Sequence, residues 1–275
     1  MDWIEFVKVG IMAVFQGVAE FLPISSSGHL QVLGTLLNIE AEDNLVLAIV
    51  LHAGSLLAIL VVYFKLLWDI LAKKQFRLIL ALIIGTLPLV AVGLLLKANG
   101  LEEKIFGSLW IPATGFAITA ALLMWAMKTR SAEDDAKAIP LEKIPFGRAF
   151  LIGIVQGIAI TPGISRSGST ISAAMKANLK LADCAKFSFL LAIPAIGGAI
   201  FLEMIKLFKE PESVSGDMIL LWVFGFVVSA VVSYVSLKLL IGMLQRGKLK
   251  YFGWYLIGAS CFTFGLWIGT TYYKG

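Results

Sequence analysis

Three ionisable side chains lie in apolar sequence beside serine-rich segments, and they are of the types that handle phosphoryl groups. Glu20 and His29 flank the segment Pro23–Gly28, which holds three consecutive serines, and Arg166 lies within Pro162–Gly168. A carboxylate in an apolar stretch needs a partner or a function. The candidate partners of Glu20 are a divalent metal, Arg166 or a nucleophile awaiting deprotonation. Arg166 offers the planar, bidentate charge that suits phosphate.

The two serine-rich segments are predicted to be turns that lead into helices. Such turns point several backbone N–H groups in one direction, and the helix dipole adds to their attraction for anions. Two of them meeting tip to tip would surround a tetrahedral oxyanion. We expect His29 to act as a general acid–base or as a nucleophile toward phosphorus. His52, isolated in an apolar run, is expected to be structural.

The composition indicates that these residues lie in a membrane. The chain has 275 residues, of which 59% are hydrophobic and 15% charged, and its mean hydropathy is +0.90. Soluble domains carry about a quarter charged residues. Six apolar runs approach or reach the length that crosses the hydrocarbon; they are Leu45–Phe64, Leu78–Leu96, Ser108–Met127, Phe187–Phe208, Met218–Leu237 and Tyr251–Tyr273. We predict an all-α polytopic membrane protein with six full transmembrane helices.

The distribution of basic residues predicts the orientation. Four alternate connections carry 3, 5, 3 and 4 Lys or Arg; they are residues 69–77, 128–148, 176–186 and 238–250. The connections on the other side carry six together. The positive-inside rule places the first set in the cytoplasm and both termini outside. Because this rule accounts for the net charge of +5, we expect no nucleic-acid partner.

The chain contains an internal repeat. The segment Gln16–Leu30 aligns without a gap on residues 156–170 and matches it at seven of fifteen positions. We predict a single membrane domain, residues 1–275, built from one repeat unit over about 1–127, a cytoplasmic linker at 128–144 and a second unit over about 145–273. An odd number of spans in each unit inverts the second copy relative to the first.

Each repeat unit is expected to begin with a re-entrant helical hairpin. The apolar stretches on either side of the first serine-rich segment are too short to cross about 30 Å of hydrocarbon. Pro23 in the first copy and Pro162 with Gly163 in the second interrupt the helices. We predict hairpins at residues 1–38 and 147–178, with tips that line a cavity, because irregular backbone is tolerated at this depth only there or within protein.

The paired motifs resemble the two signatures of the bacterial undecaprenyl-pyrophosphate phosphatases of the bacitracin-resistance type. Gln16–His29 resembles the first signature, although its first position is often Glu in the family, and Pro162–Thr170 resembles the second. The resemblance implies hydrolysis of undecaprenyl pyrophosphate to undecaprenyl phosphate and inorganic phosphate. This activity recycles the lipid carrier for peptidoglycan and other envelope polymers and gives bacitracin resistance.

The resemblance also implies a set of site residues. The expected catalytic residues are Glu20, Ser26, His29 and Arg166. Ser25, Ser165, Ser167 and Thr170 match the family's phosphate-binding turns, and Gln16, Ser27 and Gly163 complete the substrate- and phosphate-binding residues that we expect. Glu20 is the expected ligand of a divalent cation, Mg²⁺ or Ca²⁺. The site is expected in the bacterial plasma membrane, opening to the periplasmic or extracellular side.

Several alternatives stay open from the sequence. The nucleophile is Ser26, His29 or water, with His29 expected to protonate or take up the departing group. A lipid flippase or secondary transporter uses the same kind of inverted repeat with broken helices. An intramembrane serine protease explains neither Arg166 nor the second anion turn. Besides the polyprenyl diphosphate and membrane lipids, a homodimer partner is possible.

Overall fold

The structure is a computed structural model, and it describes residues 3–37, 41–101, 105, 107–128, 135–209 and 216–272. Over these residues the chain is helical, with no β-strand beyond an isolated bridge between Ile139 and Leu179. The helices of the described part are α1 Trp3–Ala19, α2 Ser26–Leu37, α3 Ala41–Val62, α4 Phe64–Ala72, α5 Phe76–Ala98, α6 Trp110–Lys128, α7 Phe146–Ile158, α8 Arg166–Lys176, α9 Leu181–Lys209, α10 Gly216–Gln245 and α11 Lys250–Tyr272.

Among the described residues, five helices are long and apolar enough to cross a membrane: α5, α6, α9, α10 and α11. A sixth crossing results if α3 and α4 count as one span, since they are bent by 65° at Tyr63. The outer face of α10 is apolar along its length, with Val223, Val227 and Val231 more than half exposed. Apolar faces of this kind need lipid rather than water around them. The molecule is a multi-pass helical membrane protein.

The predicted spans agree with the helices except at some ends. Helix α10 continues to Gln245, so most of the expected connection 238–250 is helical. Helix α9 begins at Leu181, six residues before the apolar run that predicts it, and the added residues include Asp183 and its ion-pair partner Lys186. Hydropathy marks only the part of a helix inside the hydrocarbon and is blind to polar turns beyond it. Residues 129–134 of the expected linker lie outside the described residues.

Two pairs of short helices have the form expected for hairpins. Helices α1 and α2 are joined by the turn at residues 20–25, and α7 and α8 by the turn at residues 159–165. Helix α7, in particular, is too short to cross a bilayer. We call residues 3–37 the first hairpin and 146–176 the second hairpin. Their tips, residues 23–28 and 163–168, are largely buried inside the helical bundle.

Each hairpin packs on a long helix from the other half of the chain. Helix α1 contacts α10, and α7 contacts α5. Small residues bring these helices close: a Cβ atom on Gly17 would lie 2.9 Å from the Ser229 carbonyl oxygen, and one on Gly153 would collide with that of Gly85. Close backbone approach through small residues is the usual means of helix association in membranes. The two halves are therefore interlocked.

The two tips touch at glycines. A Cβ atom on Gly28 would lie 2.8 Å from the Gly163 Cα atom, and one on Gly168 would lie 3.1 Å from the Pro23 Cβ atom. The Ser167 hydroxyl donates to the Leu22 carbonyl oxygen at 3.2 Å. The expectation that the tips meet is confirmed, and glycine at both positions permits it.

Candidate functional site

A cavity of about 430 Å³ lies where the two tips meet, and we call it the tip cavity. Its polar lining is Glu20, Ser25, Ser26, Ser27, His52, Lys97, Gln156, Ser165 and Arg166. Helices α2 and α8 begin here, at Ser26 and Arg166 respectively. The first N–H groups of a helix have no partner within it, so two partly positive helix ends face one cavity. This arrangement suits an anion.

Glu20 is the centre of the hydrogen-bond network. It follows the last residue of α1 and is 6% exposed. One carboxylate oxygen, Oε2, accepts from Gln16 Nε2 at 2.9 Å and from the Ser26 hydroxyl at 2.8 Å. The other, Oε1, is paired with the Arg166 guanidinium. A buried charge requires such pairing, and here the pairing leaves the carboxylate in contact with a hydroxyl that faces the cavity.

Arg166 brings a positive charge to the site from the first turn of α8, and Lys97 of α5 lines the same cavity. Its side chain is 17% exposed, and its guanidinium joins the second tip to Glu20 of the first hairpin. Its Nη1 atom also lies 3.5 Å from the Ala192 carbonyl oxygen in α9. A guanidinium has five N–H donors, so these two contacts leave donors for an anion in the cavity.

The serine side chains of the two tips form equivalent contacts. Ser165 caps α8, since its hydroxyl oxygen accepts from the Gly168 N–H at 3.1 Å. Ser25 occupies the same position at the start of α2 and accepts from the Gly28 N–H at 3.4 Å. Ser26 and Ser27 follow and are half-buried in the cavity wall. Of the expected binding residues, Ser25, Ser27 and Ser165 thus line the cavity.

The other expected binding residues lie behind this lining. Gln16 is fully buried and donates to Glu20. Gly163, at φ +85°, lets the second tip pass the Pro112 carbonyl oxygen, with which a Cβ atom would collide. The Thr170 hydroxyl lies 2.7 Å from the Arg166 carbonyl oxygen and 2.6 Å from the Ser188 hydroxyl. Ser167 bonds across to the first hairpin as described above. Phosphate contacts by these four stay predictions.

His29 is not brought to the tip cavity. It lies on the far side of the first tip, in a second cavity that also contains Phe116 and Tyr255. Its ring nitrogens lie 2.8 Å from the Ser25 carbonyl oxygen and 2.7 Å from the Tyr255 hydroxyl. His29 therefore does not line the cavity that contains Glu20 and Arg166, although it directly follows the first serine-rich turn in sequence.

His52 is the residue that the sequence interpretation missed. The structure places its Nε2 atom 3.7 Å from Glu20 Oε2, on the wall of the tip cavity. Its Nδ1 atom lies 2.6 Å from the Ala48 carbonyl oxygen, so Nδ1 carries the hydrogen and Nε2 is directed at the site. A signal was available: a histidine inside a predicted span is costly and by default marks a function.

The expected divalent cation can be tested against the donors at Glu20. The described residues contain no group of three His, Cys, Asp or Glu side chains that could hold a metal. The Oε1 atom of Gln16 is buried with no hydrogen-bond partner among the described atoms. One carboxylate and one amide oxygen do not make an all-protein cage. They fit Mg²⁺, which is usually held by one or two carboxylates together with waters and substrate phosphates.

Comparison with known proteins gives a consistent result. The family model described as bacitracin resistance protein BacA matches residues 9–262. A protein of Rhodopirellula baltica named undecaprenyl-diphosphatase is 40% identical, over 93% of this chain and 96% of its own. Proteins of the same name from Desulfatibacillum aliphaticivorans and Bacteroides thetaiotaomicron are 36% and 34% identical, and each alignment covers more than nine-tenths of both chains.

Proposed function

We propose, because the chain belongs to the bacitracin resistance protein BacA family, that it hydrolyses undecaprenyl pyrophosphate to undecaprenyl phosphate and inorganic phosphate. One observation carries this proposal: the Ser26 hydroxyl, the Glu20 carboxylate and the Arg166 guanidinium meet in one cavity at two helix N-termini. A nucleophile, a base and a cation at an anion-binding site are the parts that phosphoryl transfer requires. Such an enzyme recycles the lipid carrier of envelope polymers and confers bacitracin resistance.

The terminal phosphate of the substrate would bind between the two tips. Arg166 supplies charge-assisted hydrogen bonds, and the N–H groups that open α2 and α8 supply further donors. Because α2 and α8, which fix these donors, both pack on α6, the donors need little reorganisation as negative charge shifts during bond cleavage. This fixed arrangement is the main catalytic contribution that we assign to the second hairpin.

Ser26 is the nucleophile that the geometry favours. Its hydroxyl donates to Glu20 Oε2 at 2.8 Å and faces the cavity. Attack of Ser26 Oγ on the terminal phosphorus transfers the hydroxyl proton to Glu20, and the bond to the bridging oxygen breaks. Glu20 then passes the proton to the departing undecaprenyl phosphate. Water next attacks the phosphoserine, Glu20 accepts a proton from it and returns a proton to Ser26, and inorganic phosphate leaves.

A divalent cation would be held by Glu20 and the free Gln16 Oε1 atom. When bound, it would neutralise charge on the diphosphate. Two residues of the chain orient the Glu20 carboxylate: Gln16 Nε2 donates to Oε2, and Arg166 pairs with Oε1. The family often has Glu at the position of Gln16, so one carboxylate fewer is available for the cation in this chain.

The tip cavity continues into an apolar slot that suits a lipid chain. Its walls come from α5 and α9 and include Leu89, Gly93, Pro194 and Gly198. Val90, Leu94 and Leu202, also in the walls, are about half exposed or more, so the slot opens sideways toward the lipid-facing surface. A substrate with a diphosphate at one end and a prenyl chain at the other matches this change of lining.

The finer architecture is also a proposal. We infer an inverted repeat, with six spans counting α3 and α4 as one, and two re-entrant hairpins. The reciprocal packing of α1 on α10 and α7 on α5 supports the repeat, as do the reciprocal glycine contacts of the tips. The positive-inside count supports a site that opens to the periplasmic or extracellular side. The unit boundaries and the homodimer expected from the sequence stay predictions.

Phosphate release by purified protein tests the proposed function. We expect the wild-type protein in detergent with Mg²⁺ to release inorganic phosphate from a polyprenyl diphosphate, and Ser26→Ala to release almost none. Ser172→Ala, at a buried serine in α8 away from the tip cavity, is the matched control and should keep its activity. A terminal-phosphate label trapped on wild-type protein by acid quench, and absent from Ser26→Ala, would identify the nucleophile.

Two results would contradict the proposal. If Ser26→Ala keeps most of its activity, Ser26 is not the nucleophile, and water activated by Glu20 takes its place. If wild-type protein in vesicles moves the polyprenyl diphosphate across the bilayer without releasing phosphate, the chain is a flippase and the hydrolase proposal is wrong.

A further inference from the structure

His29 has both ring nitrogens engaged by the protein. The Nδ1 atom lies 2.8 Å from the Ser25 carbonyl oxygen, and a carbonyl can only accept, so Nδ1 carries the hydrogen. The Nε2 atom of a neutral ring then accepts from the Tyr255 hydroxyl, 2.7 Å away in α11. The two rings are nearly parallel, at 11°, and Phe116 packs on the histidine with a centroid distance of 4.7 Å. Neither nitrogen points at the tip cavity.

The residue that His29 holds has an unfavourable backbone conformation. Ser25 has a positive φ. This left-handed region of the backbone is rarely adopted by residues other than Gly, Asn and Asp. The Ser25 carbonyl oxygen accepts from the His29 side chain and, at 3.3 Å, from the His29 backbone N–H. The next residue is Ser26, whose hydroxyl must lie beside Glu20 Oε2. Strained backbone persists only where its surroundings hold it.

The second copy of the motif serves as an internal control. Ser165, the counterpart of Ser25, has an ordinary φ of −71°. Ser169 replaces His29 there, and its hydroxyl has no hydrogen-bond partner among the described atoms, although its backbone N–H still bonds Ser165 at 2.8 Å. The copy with ordinary backbone therefore lacks the side-chain bond, and the copy with left-handed backbone has it.

We propose that His29, oriented by Tyr255, is a positioning residue that holds the Ser25–Ser27 turn and thereby places the Ser26 hydroxyl against Glu20. It does not transfer a proton or attack phosphorus in this scheme. The role rests on the proposed function, since it is the phosphatase reaction that requires the Ser26 geometry. Tyr255 becomes a second positioning residue, acting through the histidine ring.

The variant His29→Asn distinguishes a positioning role of His29 from a role in proton transfer. The asparagine amide nitrogen occupies nearly the place of Nδ1 and can donate to the Ser25 carbonyl oxygen, but it has no proton to exchange near neutral pH. We expect His29→Asn to keep kcat within about tenfold of wild type and to keep the wild-type pH profile. His29→Ala should lower kcat by roughly 100-fold or more with little change in KM. His29→Gln, whose amide reaches too far, should resemble His29→Ala.

Two further variants test the path through the turn. Tyr255→Phe should lower kcat severalfold in the wild-type background and have no further effect on His29→Ala. Glycine at position 25 accepts a left-handed φ without help, so His29→Ala should cost less activity in a Ser25→Gly background than in wild type. If Ser25→Gly has too little activity for this comparison, His29→Asn decides.

The outcomes distinguish this proposal from the proposed function. If the wild-type protein releases no phosphate, the function itself fails. If the wild-type protein is active and His29→Asn is as inactive as His29→Ala while both melt at the wild-type temperature, His29 handles protons and the positioning role is wrong. If added imidazole restores the activity of His29→Ala, and the restored rate depends on the concentration of unprotonated imidazole, the proposal is also wrong.

Discussion

The first and second tips have the same framework and different chemistry. In each, the hydroxyl that accepts from the helix N–H also lies near the hydroxyl two residues later, at 3.4 Å between Ser25 and Ser27 and 3.2 Å between Ser165 and Ser167. The residue between the two serines is Ser26 in the first tip and Arg166 in the second. Two similar turns thus bring a serine hydroxyl to one side of a cavity and a guanidinium to the other.

The difference in backbone between the tips follows the difference in chemistry. Ser25 has a left-handed conformation and Ser165 does not. The first hairpin also carries Glu20, where the second has Ile160. Strain and buried charge are therefore concentrated in the hairpin that we assign to bond making, while the second hairpin is a relaxed anion site. If this comparison is right, equivalent changes in the two hairpins should have unequal effects.

The largest effect is expected at Arg166. Arg166→Lys keeps the charge but loses the planar fork that pairs with Glu20 and phosphate together, so kcat/KM should fall by roughly 10³-fold. Arg148→Lys is the matched control, because Arg148 lies at the base of the same hairpin, where it bonds the Ala177 carbonyl oxygen at 2.7 Å. Phosphate release at saturating and limiting substrate measures both. Equal losses in the two variants would mean that Arg166 is structural.

A smaller effect is expected at His52. Its Nε2 atom faces Glu20 from α3, and glutamine can place a polar atom nearby whereas leucine cannot. We expect His52→Leu to lower kcat by about tenfold, or roughly 1.4 kcal/mol, because leucine removes the polar group that lies beside Glu20. His52→Gln should recover most of that loss. If leucine is as active as histidine, the sequence expectation of a structural residue is correct.

The slot should affect KM rather than kcat. A Cβ atom on Gly198 has open space around it and would extend into the slot, so Gly198→Leu should raise KM for a long-chain diphosphate by roughly tenfold. Gly197→Leu is the control, since Gly197 also has open space but is not part of the slot wall. A short-chain diphosphate should be hydrolysed equally by both. A loss that is independent of chain length would place the lipid elsewhere.

The smallest effect concerns stability, and it should differ in sign between the tips. Ser25→Gly removes a weak cap but relieves a left-handed residue, so the free energy of unfolding should rise by about 1 kcal/mol. Ser165→Gly removes a better cap without relief and should lower that free energy by about 0.5 kcal/mol. Thermal unfolding in detergent measures both. The same sign at both positions would mean that the backbone difference between the tips carries little energy.

Much of the fold followed from sequence because its causes are local. A run of about twenty apolar residues predicts a span wherever it occurs, and Pro23, Pro162 and Gly163 interrupt helices through their own backbone chemistry. The bend between α3 and α4 at Tyr63 was not predicted, since the apolar run continues through it. The polar ends of α9 and α10 were not predicted either, because an apolar run marks only the part of a helix that lies in the hydrocarbon.

The candidate site was predicted in part. The residue types indicated a shared function for Glu20 and Arg166, the family resemblance added Ser26, and the structure brings the three together. The structure places the two histidines differently from the expectation, because His52 lines the tip cavity and His29 lines the second cavity. His29 is near Glu20 in sequence, but its position on α2 turns the ring to the opposite side of the hairpin. His52 is distant in sequence, and only the packing of α3 brings it to the carboxylate.

Sequence alone therefore determined the membrane setting, the recurrence of the serine-rich motif and the kinds of groups available, since these depend on composition, residue order and local backbone preferences. Tertiary structure decided which groups share a cavity and which residues hold them there. The physical reason is that a side chain's surroundings depend on the rotation and packing of helices that meet far apart along the chain. At the tips, packing through glycines turns two similar serine-rich segments into the unequal halves of one site.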